Sequence, residues 1–505
     1  MRALIAIGLV LASAISPAAP AAEGTLRVAS AGPIYAFAHP YTRDEGGGVR
    51  DAVYDSLTRV TREGKLTPGL ALSWELQSPQ SWLFRLRPGV VFSNGEPFDA
   101  DTVVRNFRIL RAPDAAATLQ RAAELATVSD ITAIDPLTIE IRTKAPDPLL
   151  PRRLNMIAIV APTAWDEMGI DRYIREPVGT GPYRVKAWRS GGSGFTLEAL
   201  NGTWRRAKDV KSVEYTVVSD PAARIRALMS NQVDVAIGLA PDDMESIKAA
   251  GFQVRVAPVN SVLSIAYRNV RDDAAPLKDA RVRRALNYAV DKQAIVDRIL
   301  LGTTRVATQG AAHGMPGHDP GIAPHPYDPA KAKALLAEAG YPNGFNLVIS
   351  VYGGALPNDS LIFQKVGQDL NAIGVKTEIR SMAFTDYVRR LFANDWDGID
   401  AFSNGWLGSG LGDPIRAVDQ FSCRFQAAFF CVPEVLPTID ATRTEMDPMK
   451  REALMRAVMR ELNAVGVALW LVEFPTVSGL AGHIRNYDIR ESSILFEDIT
   501  FSDRK

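Results

Sequence analysis

Residues 404–416 read Asn-Gly-Trp-Leu-Gly-Ser-Gly-Leu-Gly-Asp-Pro-Ile-Arg, the densest collection of binding-type groups in the chain. Trp406 offers a large, rigid aromatic plate. The glycines around it bare backbone amides, so Gly408 and Ser409 supply N–H and hydroxyl donors and Asn404 an amide. Asp413 is either a carboxylate for a cation or the cap of the turn made with Pro414. Arg416 has the planar fork that meets a carboxylate bidentately, although a plain surface arginine is the commoner use of that residue. Such a set suits recognition of a small solute rather than bond making. For Trp406 the competing use is a core tryptophan closing the end of a sheet.

Two other stretches face the same question. Gly32-Pro33-Ile34-Tyr35 follows the first predicted strand, and ligands of α/β sheets gather beyond the carboxyl ends of strands, so Tyr35 is a candidate contact from the opposite side of a cleft. Packing in a hinge is its alternative. Asn155-Met156-Ile157 either lines the far wall of a pocket or is a buried edge. His313, His318 and His325 share a Gly/Pro-rich loop, but spacings of five and seven match no metal template, and a solvated connection is the simpler reading. No His-Glu-x-x-His, Gly-x-Ser-x-Gly, phosphate loop or dinucleotide fingerprint occurs, so neither an enzyme nor a cofactor is indicated.

The chain of 505 residues begins with Arg2, an apolar run from Ala3 to Ile15 and the small-residue stretch Ala19-Pro20-Ala21, the pattern of a secretion signal over 1–21. No cysteine follows it, so lipid attachment is not expected. Lys+Arg and Asp+Glu balance at 57 each, which argues against nucleic acid or an anionic membrane as partner. The mature length exceeds what one core supports and predicts two or three domains. Only Cys423 and Cys431 are present, eight residues apart. In an oxidising exported setting they are expected to pair; two free buried thiols are the alternative.

The elements that must position these groups alternate between strand and helix. Thr25–Ser30 is a strand. Trp82, Phe84 and Leu86 alternate with Leu83, Arg85 and Arg87, Pro88-Gly89 and Asn94-Gly95 turn the chain, and Asp101 is a candidate cap for a helix carrying Val103, Phe107 and Leu110. Strand 213–218, a helix capped by Asp220-Pro221 and strand 233–237 form a βαβ unit, as do strand 345–351, helix 361–373 and strand 375–379. Asp291 and Asp328 cap further helices, and helix 449–462 leads to strand 467–474. The crossing between lobes is expected near Ser264–Asn269.

The ordered tract Val-Tyr-Asp-Ser-Leu-Thr-Arg (53–59), Gly-Lys-Leu-Thr-Pro-Gly-Leu-Ala-Leu-Ser-Trp-Glu (64–75) and Trp-Leu-Phe-Arg-Leu-Arg-Pro-Gly-Val-Val-Phe-Ser-Asn-Gly-Glu-Pro-Phe-Asp-Ala-Asp (82–101), with Pro177-Val-Gly-Thr-Gly-Pro-Tyr183 and the Gly-Trp segment, resembles the dipeptide-, oligopeptide- and nickel-binding family of periplasmic solute receptors. The resemblance spans roughly residues 25–500. It implies a two-lobed α/β fold, the large type II class, with lobe I core from 22–48, 177–263 and 478–505, an inserted subdomain over 49–176 and lobe II over 264–477. It further implies hinged closure on a small or peptide-like ligand, delivery to an ABC permease and ATPase complex, a monomer and a periplasmic address. A bridge after the Gly-Trp segment is common among such receptors. Peptide receptors of the family carry an Asp just after Gly-Trp for the ammonium of the peptide; here the counterpart is Ser409, and only a loop shift would bring Asp413 into that role. Similar receptors also carry opines, sugars or metal chelates, and an exported hydrolase is the rival from another class.

Overall fold

A computed structural model describes residues 23–502 apart from 33–36, 43–47, 114, 116–118, 271–274, 355–357, 409 and 491–492. The secretion signal, Tyr35 and Ser409 therefore lie outside the described residues.

A single ten-stranded sheet runs through the molecule. Its strands in chain order are β1 (Thr25–Ser30), β2 (Tyr183–Trp188), β3 (Gly194–Ala199), β4 (Ser212–Val217), β5 (Val235–Ile237), β6 (Gln253–Tyr267), β7 (Asn346–Tyr352), β8 (Lys376–Met382), β9 (Ala401–Leu407) and β10 (Ala468–Leu480). In space they lie in the order β8-β7-β9-β6-β10-β5-β1-β4-β3-β2. The β4–β1–β5 and β8–β7–β9 groups pair in parallel, each linked by crossover helices, as the two predicted βαβ units require.

Two long antiparallel strands, β6 and β10, join the halves. Ala257 and Leu480 pack in one core with Leu26, Val28 and Phe195; Val262 and Val472 pack in the other with Ile349, Phe402 and Leu469. The chain thus changes lobes between Ala257 and Val262, earlier than the Ser264–Asn269 expected from sequence. The ladder slips register between Pro258 and Val262, where Pro258 brings no N–H to pair.

An extra four-stranded antiparallel sheet, in the spatial order 71–78, 81–86, 138–143, 128–135, packs with the Ala100–Leu110 helix on the first lobe. The helix buries Val103, Phe107 and Leu110 as predicted, but its cap is Asp99, not Asp101. Asp99 accepts from Thr102 N at 2.9 Å, and the Thr102 hydroxyl oxygen accepts in turn from Asp99 N. Asp220, Asp291 and Asp328 cap their helices, accepting from Ala223 N, Ala294 N and Lys331 N. Cys423 and Cys431 are bonded, with Cα atoms 4.4 Å apart. Closing that short loop stabilises by roughly 2–3 kcal/mol in the chain-entropy account.

Candidate functional site

The cavity of interest lies where the lobes meet. From the first lobe it is lined by Arg50, Asp51 and Tyr54 on the short Val49–Val53 helix and its exit, by Asn155 and Met156, and by Arg205; Asn260 of β6 and Gly410, just past β9, close it from the other side. The space enclosed is about 110 Å³.

The Val49–Val53 helix is held in place by the Val178-Gly179-Thr180-Gly181 turn. A Cβ on Gly179 would fall 2.0 Å from Val53 O, and one on Gly181 2.4 Å from Ala52 O, so only glycine permits this approach. Gly181 N donates to Val53 O at 2.9 Å, and the Thr180 hydroxyl to Asp55 at 2.9 Å. The two glycines of the sequence motif are therefore what seats the Arg50 helix against the rest of the lobe.

Most charges round the cavity are internally matched. Arg205, itself buried, lies between Asp55 (2.8 Å) and Glu497, and donates to Asp51 O at 2.7 Å. Arg62 pairs with Asp488 at 3.2 Å. Burial pushes the Asp51 carboxyl up, but Arg50, a hydrogen bond from Ser493, Arg59 and Arg205 together outweigh it and hold the group below its ordinary range. Arg50 stands apart. It is 8% exposed, and its one side-chain hydrogen bond among the described residues is a long 3.5 Å contact from Nη2 to Met156 O.

The lobes touch around this cavity through specific bonds. Asn155 donates to Gly410 O at 2.7 Å while accepting from Val60 N at 3.0 Å. Arg152 donates one N–H group to Gly64 O (2.7 Å), Leu411 O (3.1 Å) and Gly412 O (3.1 Å). Asn260 donates to Arg62 O at 2.8 Å.

Of the residues singled out from sequence, Asn155 and Met156 line the cavity. Trp406 does not. It is fully buried on β9 opposite Val262, with ring centroids 4.2 Å from Phe421 and 5.1 Å from Trp470, and Gly310 pressed so close that a Cβ there would sit 1.9 Å from the indole. Its Nε1 has no hydrogen-bond partner among the described residues. Asn404, on the same strand, accepts from the Tyr387 hydroxyl at 2.7 Å. Gly408 N donates to Asn260 O at 2.9 Å. Asp413 is buried, receives both outer nitrogens of Arg451 (2.5 and 3.1 Å) and caps Ile415 N at 3.0 Å. Arg416 pairs with Glu124 of the opposite lobe. Among the described residues, the Gly-rich segment thus lines the cavity through Gly410.

The loop histidines do not converge. His313 and His318 meet edge to face at 5.2 Å, whereas His325 stacks on Tyr288 at 5.0 Å. Among the described residues no three His, Cys, Asp or Glu side chains form a group able to hold a metal ion.

Sequence reasoning missed Arg50, Asp51 and Arg205. The available signal was slight: an Arg-Asp pair set inside the apolar run Val49, Ala52, Val53, all of them buried.

The model of the bacterial extracellular solute-binding proteins, family 5 Middle, matches residues 65–427. The nickel-binding periplasmic protein of Escherichia coli (strain K12) is 29% identical over 399 residues, covering 76% of this chain and 71% of its own. Glutathione-binding protein GsiB of Pectobacterium atrosepticum is 27% identical and matches 98% of each chain. The ABC transporter substrate-binding protein CtaP of Listeria monocytogenes superposes with a TM-score of 0.83 at 17% identity, over 95% of this chain and 100% of its own.

Proposed function

The chain belongs to the bacterial extracellular solute-binding proteins of family 5, and from that membership we propose that its inter-lobe cavity captures a peptide-like or modified amino-acid solute without a free ammonium group. As a member it is the substrate-binding component of an ABC import system and not an enzyme. Export by the N-terminal signal to the periplasm, without lipid attachment, and delivery to a membrane permease complete the proposed role.

The observation that carries the ligand class is the state of Asp413. It is the next acid in sequence after Ser409, the counterpart of the aspartate with which peptide receptors of the family hold an ammonium, and it is saturated by Arg451 and by the Ile415 amide. A second cation brought to it would have to displace a buried bidentate partner, which costs more than the ammonium returns. The cavity itself is lined by five arginines against two aspartates, Asp51 and Asp55, a balance of charge that disfavours an ammonium.

Calorimetry with free dipeptides and their N-acetylated counterparts tests this, alongside mass spectrometry of solute retained through purification. Acetylated ligands are expected to bind at least as tightly as free ones. Submicromolar binding of free dipeptides, abolished by acetylation and by Asp413→Asn, overturns it; a charged hydrogen bond of that kind contributes about 1.5–3 kcal/mol, ten- to hundredfold in affinity.

A further inference from the structure

We infer that Arg50 is the specificity-determining residue of the cavity and that the ligand presents to it a singly charged carboxylate; this rests on the solute-capture reading above. Four observations carry it. Arg50 is nine-tenths buried and lines the cavity, yet no carboxylate among the described residues pairs with it directly. Among the described residues its one side-chain bond, to Met156 O, is long, and no other bond from the fork is made. The neighbouring acids are otherwise engaged: Asp55 and Glu497 by Arg205 and Asp488 by Arg62, while Asp51 feels the Arg50 charge without forming an ion pair with it among the described residues and takes a hydrogen bond from Ser493. Finally, Asn155 and Gly410 meet beside Met156, so closing the lobes further withdraws Arg50 from water.

A buried guanidinium without a partner is costly, and the anion that enters the cavity removes that cost. The planar fork of arginine matches the two oxygens of a carboxylate. Asp51, one residue along, sets the charge: a doubly charged phosphate would bring a second negative charge against its carboxylate. Closure and recognition are coupled through Met156, which accepts from Arg50 and packs against Gly410 of the other lobe, so a carboxylate on Arg50 is expected to favour the closed form.

The experiment uses full-length mature protein, as wild type, Arg50→Gln, Arg50→Lys and Asp51→Asn. Probes are N-acetyl dipeptides with a free C-terminal carboxylate, their C-terminal amides, and the amide of N-acetyl-O-phosphoserine, with melting temperature as the folding control. Wild type is expected to bind the acids ten- to hundredfold more tightly than the amides. Arg50→Gln should abolish that discrimination, Arg50→Lys should keep part of it, and Asp51→Asn should narrow the gap between carboxylate and phosphate. If Arg50→Gln does not fold, the Arg50→Lys and Asp51→Asn profiles decide. Equal binding of acids and amides by wild type, or undiminished discrimination in folded Arg50→Gln, overturns the assignment while leaving solute capture standing. A wild-type protein that retains no solute and binds no probe overturns both.

Discussion

At the residue scale the chain spends its large aromatic and ionic groups on rigidity near the cleft. Trp406 fills space between Phe421, Trp470 and Gly310. Truncation there leaves a large cavity, so Trp406→Ala is expected to cost about 3–5 kcal/mol of stability, read by urea unfolding. An affinity loss with little loss of stability would show instead that the indole is a wall of the site. A second residue gives a pH signature. Lys292 is almost wholly buried, its ammonium bonded among the described residues to Asn287 Oδ1 at 3.3 Å, and burial lowers its pKa from 10.5 to about 7. Between those values the unfolded chain binds more protons than the folded one, so stability rises with pH from about 7 towards 10.5 and is independent of this group below about 7. Nearby His325, lowered by burial and by Lys292, Lys331 and Arg284 to about 4, adds a rise confined to the acid side, complete by its unfolded value of 6.5. Lys292→Met should flatten the alkaline slope and raise stability at pH 7. Parallel unfolding curves for both proteins at pH 7, 8 and 9 that keep the same slope would refute this.

At the scale of elements, local chemistry was largely readable and long-range collection was not. Asp220, Asp291 and Asp328 announce their helices because a cap needs only its own next few residues. The Asp99 cap was misplaced by two residues because Asp101 competes in sequence, and the reciprocal Thr102 bond decides between them. Strand β6 was not seen at its full length, since Pro258 and Asn260 interrupt its alternation at the point where it changes cores. The Gly-rich segment was recognisable as an approach to the cleft, but residues 50, 121, 155, 205 and 493 reach the cavity from five separate stretches of the chain, and no local pattern joins them. The Pro177–Tyr183 motif has a sharper physical content than a turn. Gly179→Ala would drive a methyl into Val53 O, a backbone atom that cannot step aside. The expected cost is about 1–3 kcal/mol or more, together with displacement of the Arg50 helix. Unchanged melting temperature and unchanged ligand affinity in Gly179→Ala would show that the motif does not seat that helix.

At the scale of the whole molecule, two antiparallel strands join the lobes, and the closed arrangement is fastened by a few polar contacts across the cleft. Arg152 is central among them: one nitrogen serves Gly64 of its own lobe and Leu411 and Gly412 of the other. Its carbonyl partners are neutral, and burial lowers its pKa more than neighbouring carboxylates raise it; the bonds to Leu411 and Gly412, unlike that to Gly64, are made only while the lobes meet. Gly412 is equally specific to closure, because a Cβ there would lie 2.6 Å from Val60 and 3.0 Å from Gly64 Cα. A ligand shifts the open–closed balance only as far as it prefers the closed form, so removing contacts made only on closure must appear as lost affinity even when they touch no ligand. Arg152→Ala is expected to remove about 1.5–3 kcal/mol from the closed form, the value of hydrogen bonds to a charged donor. That corresponds to a ten- to hundredfold weaker Kd and a larger radius of gyration in the ligand-free protein by X-ray scattering. Gly412→Ala should act in the same direction by wedging the lobes apart. If both variants scatter like wild type and keep its affinity, these bonds do not govern closure, and the lobes must instead be held by the sheet that β6 and β10 share.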